Sequence, residues 1–568
     1  MSQRLENLLQ SPYFWVTLAV ALALLRAPGL LFEPRLFAEE ASIYLAYSRH
    51  HSALATLLLV PTADGPAGYM MLATNLVMAL GKALPLELVP RLTSLAALFI
   101  QLTPVLAILW SRGQCWPTAP ARVAAMLVLS LSPALDPEVW LTTLHAPIYL
   151  ALAAAILLVA DPPSSTSGRW AARLSLFFGA ATGAYTTLLL PAFFWRSWQN
   201  RDREYRIQLG CVAAPALLQA IVYSLVRFGL ETAPARPWPA WETLATSVAV
   251  HHLGRGYFGA VAADWLAQLT GLLPALGPAG TCSPEHLRLA GLVSLLLLGS
   301  FFTLAAREQR ARLLLLALAS SCALPALLAY GVPRGRYAVV AGVLAGLFAS
   351  VLATAAEGSR RRLVARGLLV FVIATGAACF RWDPPQQLRG GTYLSLDPPR
   401  AARPDWAAEV AAWREQPSRG LRVWPYTNDA AWTFFLRSES STPPIAVAAK
   451  RAQLISLGPK VSRELFRIPP RPFAFKVVTT VSAQTDGAIE IELQAIGPQG
   501  EIAGVAPLGR LGKGERRTLV VDPQEFQWQK APTLITGFDA AIKATPAGRL
   551  TFETTRIEEI VVGLFDRR

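Results

Sequence analysis

The feature that most constrains this chain is a series of long apolar runs separated by short loops that are rich in arginine. A helix that crosses a membrane needs about 20 mostly apolar residues. Candidate runs cover residues 12–32, 88–110, 120–134, 146–160, 171–198, 207–228, 287–306, 311–330, 337–356 and 364–380. The run 171–198 is long enough for two short helices that turn at Gly183 or Pro191. The sequence therefore predicts a polytopic α-helical membrane protein with about 11 transmembrane helices.

The composition and the charge distribution fit this class. Hydrophobic residues make up 53% of the 568 residues and charged residues only 16%, whereas soluble globular proteins carry roughly a quarter charged residues. The net charge is +15, but the arginines concentrate in short loops between apolar runs, which is typical of the cytoplasmic side of a membrane protein. Three clusters are Arg196, Arg201, Arg203 and Arg206; Arg307, Arg310 and Arg312; and Arg360, Arg361, Arg362 and Arg366. With these loops inside, the N-terminus is cytoplasmic and the chain after residue 381 is extracytoplasmic.

The pattern of the sequence changes after the last apolar run. Segments such as "FKVVTTVSAQ" and "AIEIELQAIG" alternate polar and apolar residues and are separated by turn signals, which predicts an extracytoplasmic β-sandwich or jelly-roll domain. We divide the chain into a transmembrane domain (1–380), a mixed connecting region (381–440) and a β-sandwich domain (441–568). Two further apolar stretches, 67–84 and 258–277, are predicted to lie along the external membrane surface.

Most residues capable of chemistry fall on the predicted external side or at its border. They are Glu39, Glu40, Asp64, Asp136, Glu138 and the six histidines His50, His51, His145, His251, His252 and His286. Arg91, Arg334, Arg336, Tyr69 and Tyr337 lie near the same face. Loops are polar in any membrane protein, but carboxylates, imidazoles and aromatic rings gathered at one membrane boundary favour a reaction site there.

The adjacent carboxylates of Glu39 and Glu40, in "LFAEEASIY", are the most specific feature of this face. A carboxylate near a low-dielectric boundary can act as a general base toward a hydroxyl group, and its neighbour can bind a cation or hold the first in place. Glu40 and Tyr44 lie four residues apart and would share one face of an α-helix, while Glu39 would point elsewhere. We therefore expect different roles for the two glutamates. The alternative is a helix cap, because carboxylates favour helix starts.

Several motifs on the predicted external side, taken in their order along the chain, resemble those of the GT-C superfamily of membrane glycosyltransferases. In those proteins the first external loop carries an acidic residue or pair, as in "FAEEASIY". A surface helix follows in the aminoarabinose transferase and protein mannosyltransferase branches, as in "DGPAGYMMLATNLVMALG". An arginine then opens the second span, as in "LVPRLTSLAAL", and a late "RY" appears in "GRYAVV". The segment "DPEVWLTTLHAPIYLAL" resembles a second external loop of bacterial members.

The resemblance implies an inverting transfer of a sugar from a polyprenyl-phosphate donor to a glycan, lipid or protein acceptor at the extracytoplasmic face of a bacterial inner membrane. It implies that Glu39 or Glu40 deprotonates the acceptor hydroxyl. Arg91, Arg334, Arg336 and Tyr337 would bind the donor phosphate, and Tyr69, Glu138, His145, His251 and His252 would bind substrate. Many relatives carry Asp in the first loop and only some branches use a divalent cation. Whether Glu39 or Glu40 holds a Mg²⁺ or Mn²⁺ ion therefore stays open.

Two other classes of function fit parts of the sequence. A lipid or polysaccharide transporter would carry charges near the middle of its spans and interrupted helices, whereas the predicted spans here are nearly free of Asp and Glu. A noncatalytic scaffold for envelope assembly, displaying the β domain, would tolerate alanine at both Glu39 and Glu40. The sequence contains no GxxxxGK[ST] phosphate-binding loop, and a lipid-phosphate donor needs none.

Overall fold

The computed structural model contains a bundle of helices followed by antiparallel β-strands, and the residues it describes are mostly helical. It describes residues 11–26, 28–37, 39–61, 69–110, 115–131, 139–229, 248, 252, 308–328, 339–355, 359–378, 380, 405–415, 421–423, 432–434, 453–456, 461–471, 475–485, 489–496, 502–511, 516–521, 527–528, 535–542 and 548–559.

The helices follow the apolar runs, with breaks at proline, glycine and polar residues. The α-helices are α1 (Pro12–Arg26), α2 (Gly29–Phe32), α3 (Ala46–His50), α4 (Ala53–Leu57), α5 (Leu72–Gly81), α6 (Val89–Trp110), α7 (Ala119–Leu131), α8 (Ala146–Val159), α9 (Thr166–Ala181), α10 (Leu190–Asn200), α11 (Arg203–Gly229), α12 (Gln309–Leu328), α13 (Val339–Ala355), α14 (Ser359–Ala378) and α15 (Trp406–Glu415). A π-helix covers Glu40–Leu45, and 3₁₀ turns cover Leu86–Leu88, Thr143–His145 and Thr187–Leu189.

Two helical segments, Leu86–Leu109 and Arg203–Leu225, are long and apolar enough to cross a membrane. Several other apolar helices among the described residues are shorter, with 10–17 residues. The predicted span 287–306 and the predicted surface stretch 258–277 lie outside the described residues. The count of 11 spans therefore stays a prediction.

Helix α8 forms the centre of the bundle. Nearly all of its residues are buried, as expected for a helix that is apolar on every face. It packs against α6, α9, α12 and α13, and its side chains join one large hydrophobic cluster. Because α8 has 14 residues, its two ends lie about 21 Å apart.

Two arginines close the C-terminal end of α8. The guanidinium of Arg196 donates hydrogen bonds of 2.6 Å to the carbonyl oxygens of Leu157 and Ala160. The guanidinium of Arg310 pairs with both oxygens of Asp161, at 3.0 and 3.1 Å. Cations are favourable at a helix C-terminus, where carbonyl groups lack partners within the helix. The structure thus brings members of two arginine clusters to the same end of the bundle.

The apolar run 171–198 turns where the sequence predicts. Helix α9 ends at Ala181, and Gly183 follows with a φ of +76°. A side chain at Gly183 would meet Pro147 Cγ at 2.9 Å, so both its conformation and its surroundings favour glycine. Pro191 lies in the first turn of α10, where its missing N–H costs nothing. The prediction of two short helices is confirmed.

Within the described residues, the strands pair in three antiparallel sheets. They are β1 (Leu421–Val423), β2 (Trp432–Phe434), β3 (Gln453–Ser456), β4 (Val461–Arg471), β5 (Phe475–Thr485), β6 (Ile489–Ile496), β7 (Ile502–Leu511), β8 (Arg516–Val521), β9 (Gln527–Trp528), β10 (Ile535–Ile542) and β11 (Gly548–Glu559). Strands β1 and β2 form a small sheet, and the other two sheets have the orders β4-β10-β6-β7-β9 and β3-β11-β5-β8. Antiparallel pairing agrees with the alternating pattern of the sequence. The packing of the two larger sheets as a sandwich stays a prediction.

Candidate functional site

The side chain of Glu40 joins two loops that are far apart in sequence. Glu40 lies in the first loop, between α2 and α3. Thr143 lies in the second loop, between α7 and α8. Glu40 Oε1 accepts hydrogen bonds from the backbone N–H of Thr143 at 2.5 Å and from its hydroxyl group at 2.6 Å. Glu40 Oε2 accepts from the backbone N–H of Phe37 at 3.1 Å. The residue Glu40 has 1% of its surface exposed. Its hydrogen bonds hold the first loop against the second.

Burial and hydrogen bonding act on Glu40 in opposite directions. Removal from water raises the pKa of the carboxyl group, because burial penalises its charged form. Hydrogen bonds from the Thr143 side chain and from the backbone of Phe37, Thr143 and Leu144 lower the pKa. Burial is the larger effect, and the pKa of Glu40 is raised above the ordinary glutamate value of 4.5.

The π-helix changes which residues face one another. Sequence periodicity predicts that Glu40 and Tyr44 share a face and that Glu39 points elsewhere. In the π-helix Glu40–Leu45, hydrogen bonds join residues five apart, a spacing that matches Glu39 and Tyr44. Burial and the negative charges of Glu39 and Glu40 all raise the pKa of the Tyr44 phenol. Both carboxyl groups therefore act on Tyr44, and the expectation that Glu39 points away from the face of Glu40 stays a prediction.

The two glutamates nevertheless occupy different environments. Glu40 is buried, whereas Glu39 is partly exposed. Glu39 immediately precedes the π-helix, yet its side chain makes no capping hydrogen bond to that helix. This geometry does not favour the helix-cap interpretation of Glu39.

Thr143 connects both loops to the helix α5. Its N–H and hydroxyl groups donate to Glu40, and its carbonyl oxygen accepts a 2.8 Å hydrogen bond from the hydroxyl of Thr74 on α5. Thr74 and Thr143 are both fully buried. One residue therefore links the first loop, the second loop and α5.

Helix α5 corresponds to the predicted surface helix at 67–84, and polar contacts attach its start to the bundle. The N–H of Met70 donates to Gln219 Oε1 at 2.9 Å, and Gln219 Nε2 donates to the Met70 carbonyl at 2.8 Å. The N–H of Ala73 donates to the hydroxyl of Thr182 at 3.0 Å. Sequence reasoning missed Gln219 and Thr182. The available signal was the amide side chain of Gln219 within the apolar stretch 209–223 of α11.

Two of the predicted substrate-binding residues lie beside this network. The buried ring of His145 is 3.0 Å from the Thr142 hydroxyl through its Nδ1 atom, and it meets the ring of Phe37 edge to face at 6.1 Å. Tyr69 packs against both the cluster around α8 and the cluster that contains Tyr44. The structure therefore places His145 and Tyr69 close to the loop that carries Glu39 and Glu40.

Of the other predicted site residues, the structure describes Arg91 and His252. Arg91 is exposed in the first turns of α6, and His252 is fully buried. Outside the described residues lie Glu138, His251, Arg334, Arg336 and Tyr337.

Helix α15, in the connecting region, covers the first loop. The indole N–H of Trp406 donates to the Leu86 carbonyl at 3.0 Å. The guanidinium of Arg414 pairs with both oxygens of Glu87, one of them at 3.1 Å. The apolar face of this region joins the cluster of the first loop through Val410, Trp413, Leu421 and Val423, beside Leu36, Ala41 and Tyr44. The sequence predicts a mixed connecting region here but not this contact.

The prediction of a Mg²⁺ or Mn²⁺ ion can be compared with the described carboxylates. Both oxygens of Glu40 already accept hydrogen bonds from the protein. In the part of the chain that the structure describes, no three His, Cys, Asp or Glu side chains lie together as metal ligands would. Mg²⁺ is usually held by one or two carboxylates together with waters and substrate phosphates, so a divalent cation at Glu39 or Glu40 stays a prediction.

The sequence matches no protein-family model and no curated protein. What the site does must therefore be argued from its geometry and from the motifs of the sequence.

Proposed function

We propose that the protein is a membrane glycosyltransferase that moves a sugar from a polyprenyl-phosphate donor to an acceptor hydroxyl at the extracytoplasmic face. The observation that carries this proposal is the buried, triply hydrogen-bonded carboxyl group of Glu40 beside the partly exposed Glu39. A buried carboxyl group costs free energy, and here it orders the loop that presents a second carboxyl group. The order of the GT-C-like motifs supports the same reading.

The two glutamates take different roles in this proposal. Glu39 is assigned as the general base because it is less buried than Glu40, and a base must be reachable by the hydroxyl group that it deprotonates. Glu40 is a positioning residue, because its oxygens are already engaged by Thr143 and Phe37. His145 and Tyr69 lie beside the same loop and bind substrate.

In the reaction, Glu39 takes the proton of the acceptor hydroxyl while the acceptor oxygen bonds to the anomeric carbon of the sugar. The bond between that carbon and the phosphate oxygen breaks, and the lipid phosphate leaves with the electron pair. Arg91, Arg334, Arg336 and Tyr337 are proposed to bind this phosphate, since guanidinium groups bind phosphate bidentately. Glu138, His251 and His252 are proposed to bind substrate. No step is assigned to a metal ion.

The same proposal includes the larger architecture. The chain crosses a bacterial inner membrane about 11 times, with a cytoplasmic N-terminus and an extracytoplasmic β-sandwich. The two candidate spans are compatible with a membrane protein, and the proposal assigns the end of α8 that binds Arg196 and Arg310 to the cytoplasmic side. The antiparallel strands of residues 453–559 support the β domain.

The test is sugar transfer by the purified protein in detergent, with a panel of radiolabelled polyprenyl-phosphate sugars and a membrane extract as acceptor source. We expect Glu39→Gln to lower kcat by about 10²–10⁴-fold, the usual contribution of a general base, without lowering thermal stability. Glu40→Gln should lower both kcat and stability. Glu415→Gln removes an exposed carboxylate of α15 and is the control that should leave both unchanged. Parallel reactions with EDTA measure any need for a divalent cation.

Wild-type transfer with full activity in both Glu39→Gln and Glu40→Gln would refute the site. Loss of transfer in Glu40→Gln alone would exchange the two roles.

A further inference from the structure

Helix α10 presents a face of large aromatic side chains to the outside of the bundle. Phe194, Trp195 and Trp198 are 55%, 51% and 71% exposed. The rings of Phe194 and Trp198 are one helical turn apart, and their centres lie 6.0 Å from each other. The opposite face of the helix is buried and includes Phe193 and Arg196. An exposed apolar face of this kind marks a contact with a membrane or with another protein.

Arg196 relates the position of these rings to the end of α8. Its guanidinium binds the carbonyl oxygens of Leu157, in the last turn of α8, and of Ala160, which directly follows that helix. Trp195 and Trp198 are one and two residues from Arg196, so their Cα atoms lie within about 3 Å of its Cα atom along the axis of α10. Both indole side chains therefore leave α10 near the end of α8, at the edge of the apolar bundle and away from its middle.

Three exposed arginines follow directly after these rings, at the junction of α10 and α11. They are Arg201, Arg203 and Arg206. The only acidic side chains of residues 190–206, all of which the structure describes, are Asp202 and Glu204. Glu204 is buried and pairs with Arg173 of α9 at 2.6 Å, so its charge is already compensated. Within this segment Asp202 alone opposes the three exposed arginines, and the junction presents a net positive charge.

A fourth aromatic ring reaches the same junction from α9. Trp170 is exposed, and the guanidinium of Arg173 lies 5.1 Å from the centre of its ring. Because Arg173 pairs with Glu204 of α11, this ion pair brings Trp170 beside the arginines of the junction. We call the surface formed by these four rings and the three exposed arginines the Trp–Arg surface.

We propose that the Trp–Arg surface binds the anionic headgroups of phospholipids in the membrane leaflet at this end of the bundle. Indole rings favour the boundary between the hydrocarbon core of a bilayer and its headgroups. Arginines just beyond that boundary attract anionic lipids, and each one adds to the affinity. An acidic protein or a nucleic acid would match the charges, but the exposed rings at the edge of the apolar bundle favour a lipid surface.

The Trp–Arg surface is separate from the Glu39–Glu40 site. It lies at the C-terminal end of α8, whereas His145 directly precedes the first residue of the same helix. Because α8 has 14 residues, its two ends are about 21 Å apart. Lipid binding at this surface therefore does not depend on sugar transfer, and the failure of one leaves the other standing.

The test measures binding of two fluorescent lipids to the immobilised full-length protein in a nonionic detergent. Phosphatidylglycerol carries a negative charge, whereas phosphatidylcholine with the same acyl chains has no net charge. We expect phosphatidylglycerol to bind at least about tenfold more tightly. An increase in ionic strength from about 0.05 M to about 0.5 M should remove most of this difference, because salt screens exposed charges.

One variant removes the charges of the surface and another removes one of its rings. The triple variant Arg201→Gln, Arg203→Gln, Arg206→Gln should bind phosphatidylglycerol at least about tenfold more weakly than the wild type. Its affinity for phosphatidylcholine should be unchanged. Trp198→Gln should weaken binding of both lipids by about threefold or more, because the indole ring contacts either one. Near-ultraviolet circular dichroism checks that each variant is folded.

A second triple variant separates the charge of this surface from the charge of the whole protein. Arg360→Gln, Arg361→Gln and Arg362→Gln together remove the same charge from exposed positions on α14. Residues 359–366 contain no aromatic side chain, so these arginines lack the neighbouring rings of the Trp–Arg surface. This matched control should keep the preference of the wild type for phosphatidylglycerol.

Equal affinity of the wild type for the two lipids would overturn the proposal, and so would wild-type affinity for phosphatidylglycerol in the folded surface variant. An equal loss in the α14 control would show that the lipid responds to the charge of the whole protein, which also overturns it. Unchanged binding in Trp198→Gln would overturn the role of the rings. Tighter binding of polyglutamate than of phosphatidylglycerol would assign the surface to an acidic protein. If the surface variant does not fold, its three arginines are replaced singly, and wild-type affinity in all three overturns the proposal.

Discussion

Replacement of Thr143 by valine tests whether the hydroxyl group of this residue holds Glu40 in place. Valine keeps nearly the volume and the β-branching of threonine, so the substitution leaves no large cavity. It deletes the 2.6 Å hydrogen bond to Glu40 Oε1 and keeps the backbone N–H of residue 143 as a donor to the same oxygen. The carbonyl oxygen that binds Thr74 is also unchanged.

The expected loss follows from two opposing contributions. A hydrogen bond to a charged group contributes about 1.5–3 kcal/mol to stability. The additional buried methyl group of valine returns about 0.8 kcal/mol. We therefore expect Thr143→Val to lower the free energy of unfolding by about 1–2 kcal/mol at neutral pH. Because the Thr143 hydroxyl also lowers the pKa of Glu40, the variant should raise that pKa further.

The assay is denaturant unfolding in detergent micelles, followed by tryptophan fluorescence. Thr143→Ser is the matched control, since it keeps the hydroxyl group and should lose less stability than the valine variant. A double-mutant cycle with Glu40→Gln isolates the interaction, and Thr143→Val should cost clearly less in the Glu40→Gln background. Equal losses in the serine and valine variants would refute the reasoning, as would an equal cost of valine in both backgrounds.

Two further predictions concern the pH dependence of Glu40 and the end of α10. The folded-state pKa of Glu40 is raised by burial, so the folded protein binds a proton more tightly than the unfolded chain. The stability of the wild type relative to Glu40→Gln should therefore fall as the pH rises from 4.5 through the folded-state pKa. Unfolding curves in which this difference in stability rises with pH would contradict the burial argument. Arg201 is exposed and ends α10 with a φ of +50°, so Arg201→Gly should stabilise the protein by up to about 1 kcal/mol. The control Arg206→Gly, inside α11, should lower stability by about 1 kcal/mol, and a loss at position 201 would show that the left-handed conformation carries no strain.

Local patterns in the sequence predict the parts of the fold that depend on local chemistry. The turn at Gly183 could be predicted because a break in an apolar run favours glycine, and the structure gives this glycine a positive φ. Helix α5 could be predicted from its apolar spacing. The π-helix at Glu40 could not, because one inserted residue per turn leaves no periodic signal in six residues. The cover formed by Trp406 also lies beyond sequence reasoning, since its partner Leu86 is 320 residues away.

The sequence selects the candidate residues by their type but does not give the contacts between them. Glu40, His145 and Tyr69 were selected because they lie on one face, and they do lie near one another. The residues that join them, Thr143 and Thr74, carry small hydroxyl groups that occur throughout the chain. Nothing in their local sequence distinguishes a threonine that binds a carboxylate from one that faces lipid.

The placement of polar groups explains why this arrangement of loops is favoured over others. Glu40, Thr143 and Thr74 are buried, where a donor or acceptor without a partner costs about 1–3 kcal/mol. A shift of the first loop, the second loop or α5 breaks at least one of the hydrogen bonds that link Glu40, Thr143 and Thr74. Because these groups are buried, no water molecule replaces the lost partner. A single arrangement therefore satisfies all three segments, and in that arrangement Glu39 is half-buried while Glu40 is fully buried. The buried hydrogen bonds of Glu40 thus fix the backbone directly beside Glu39.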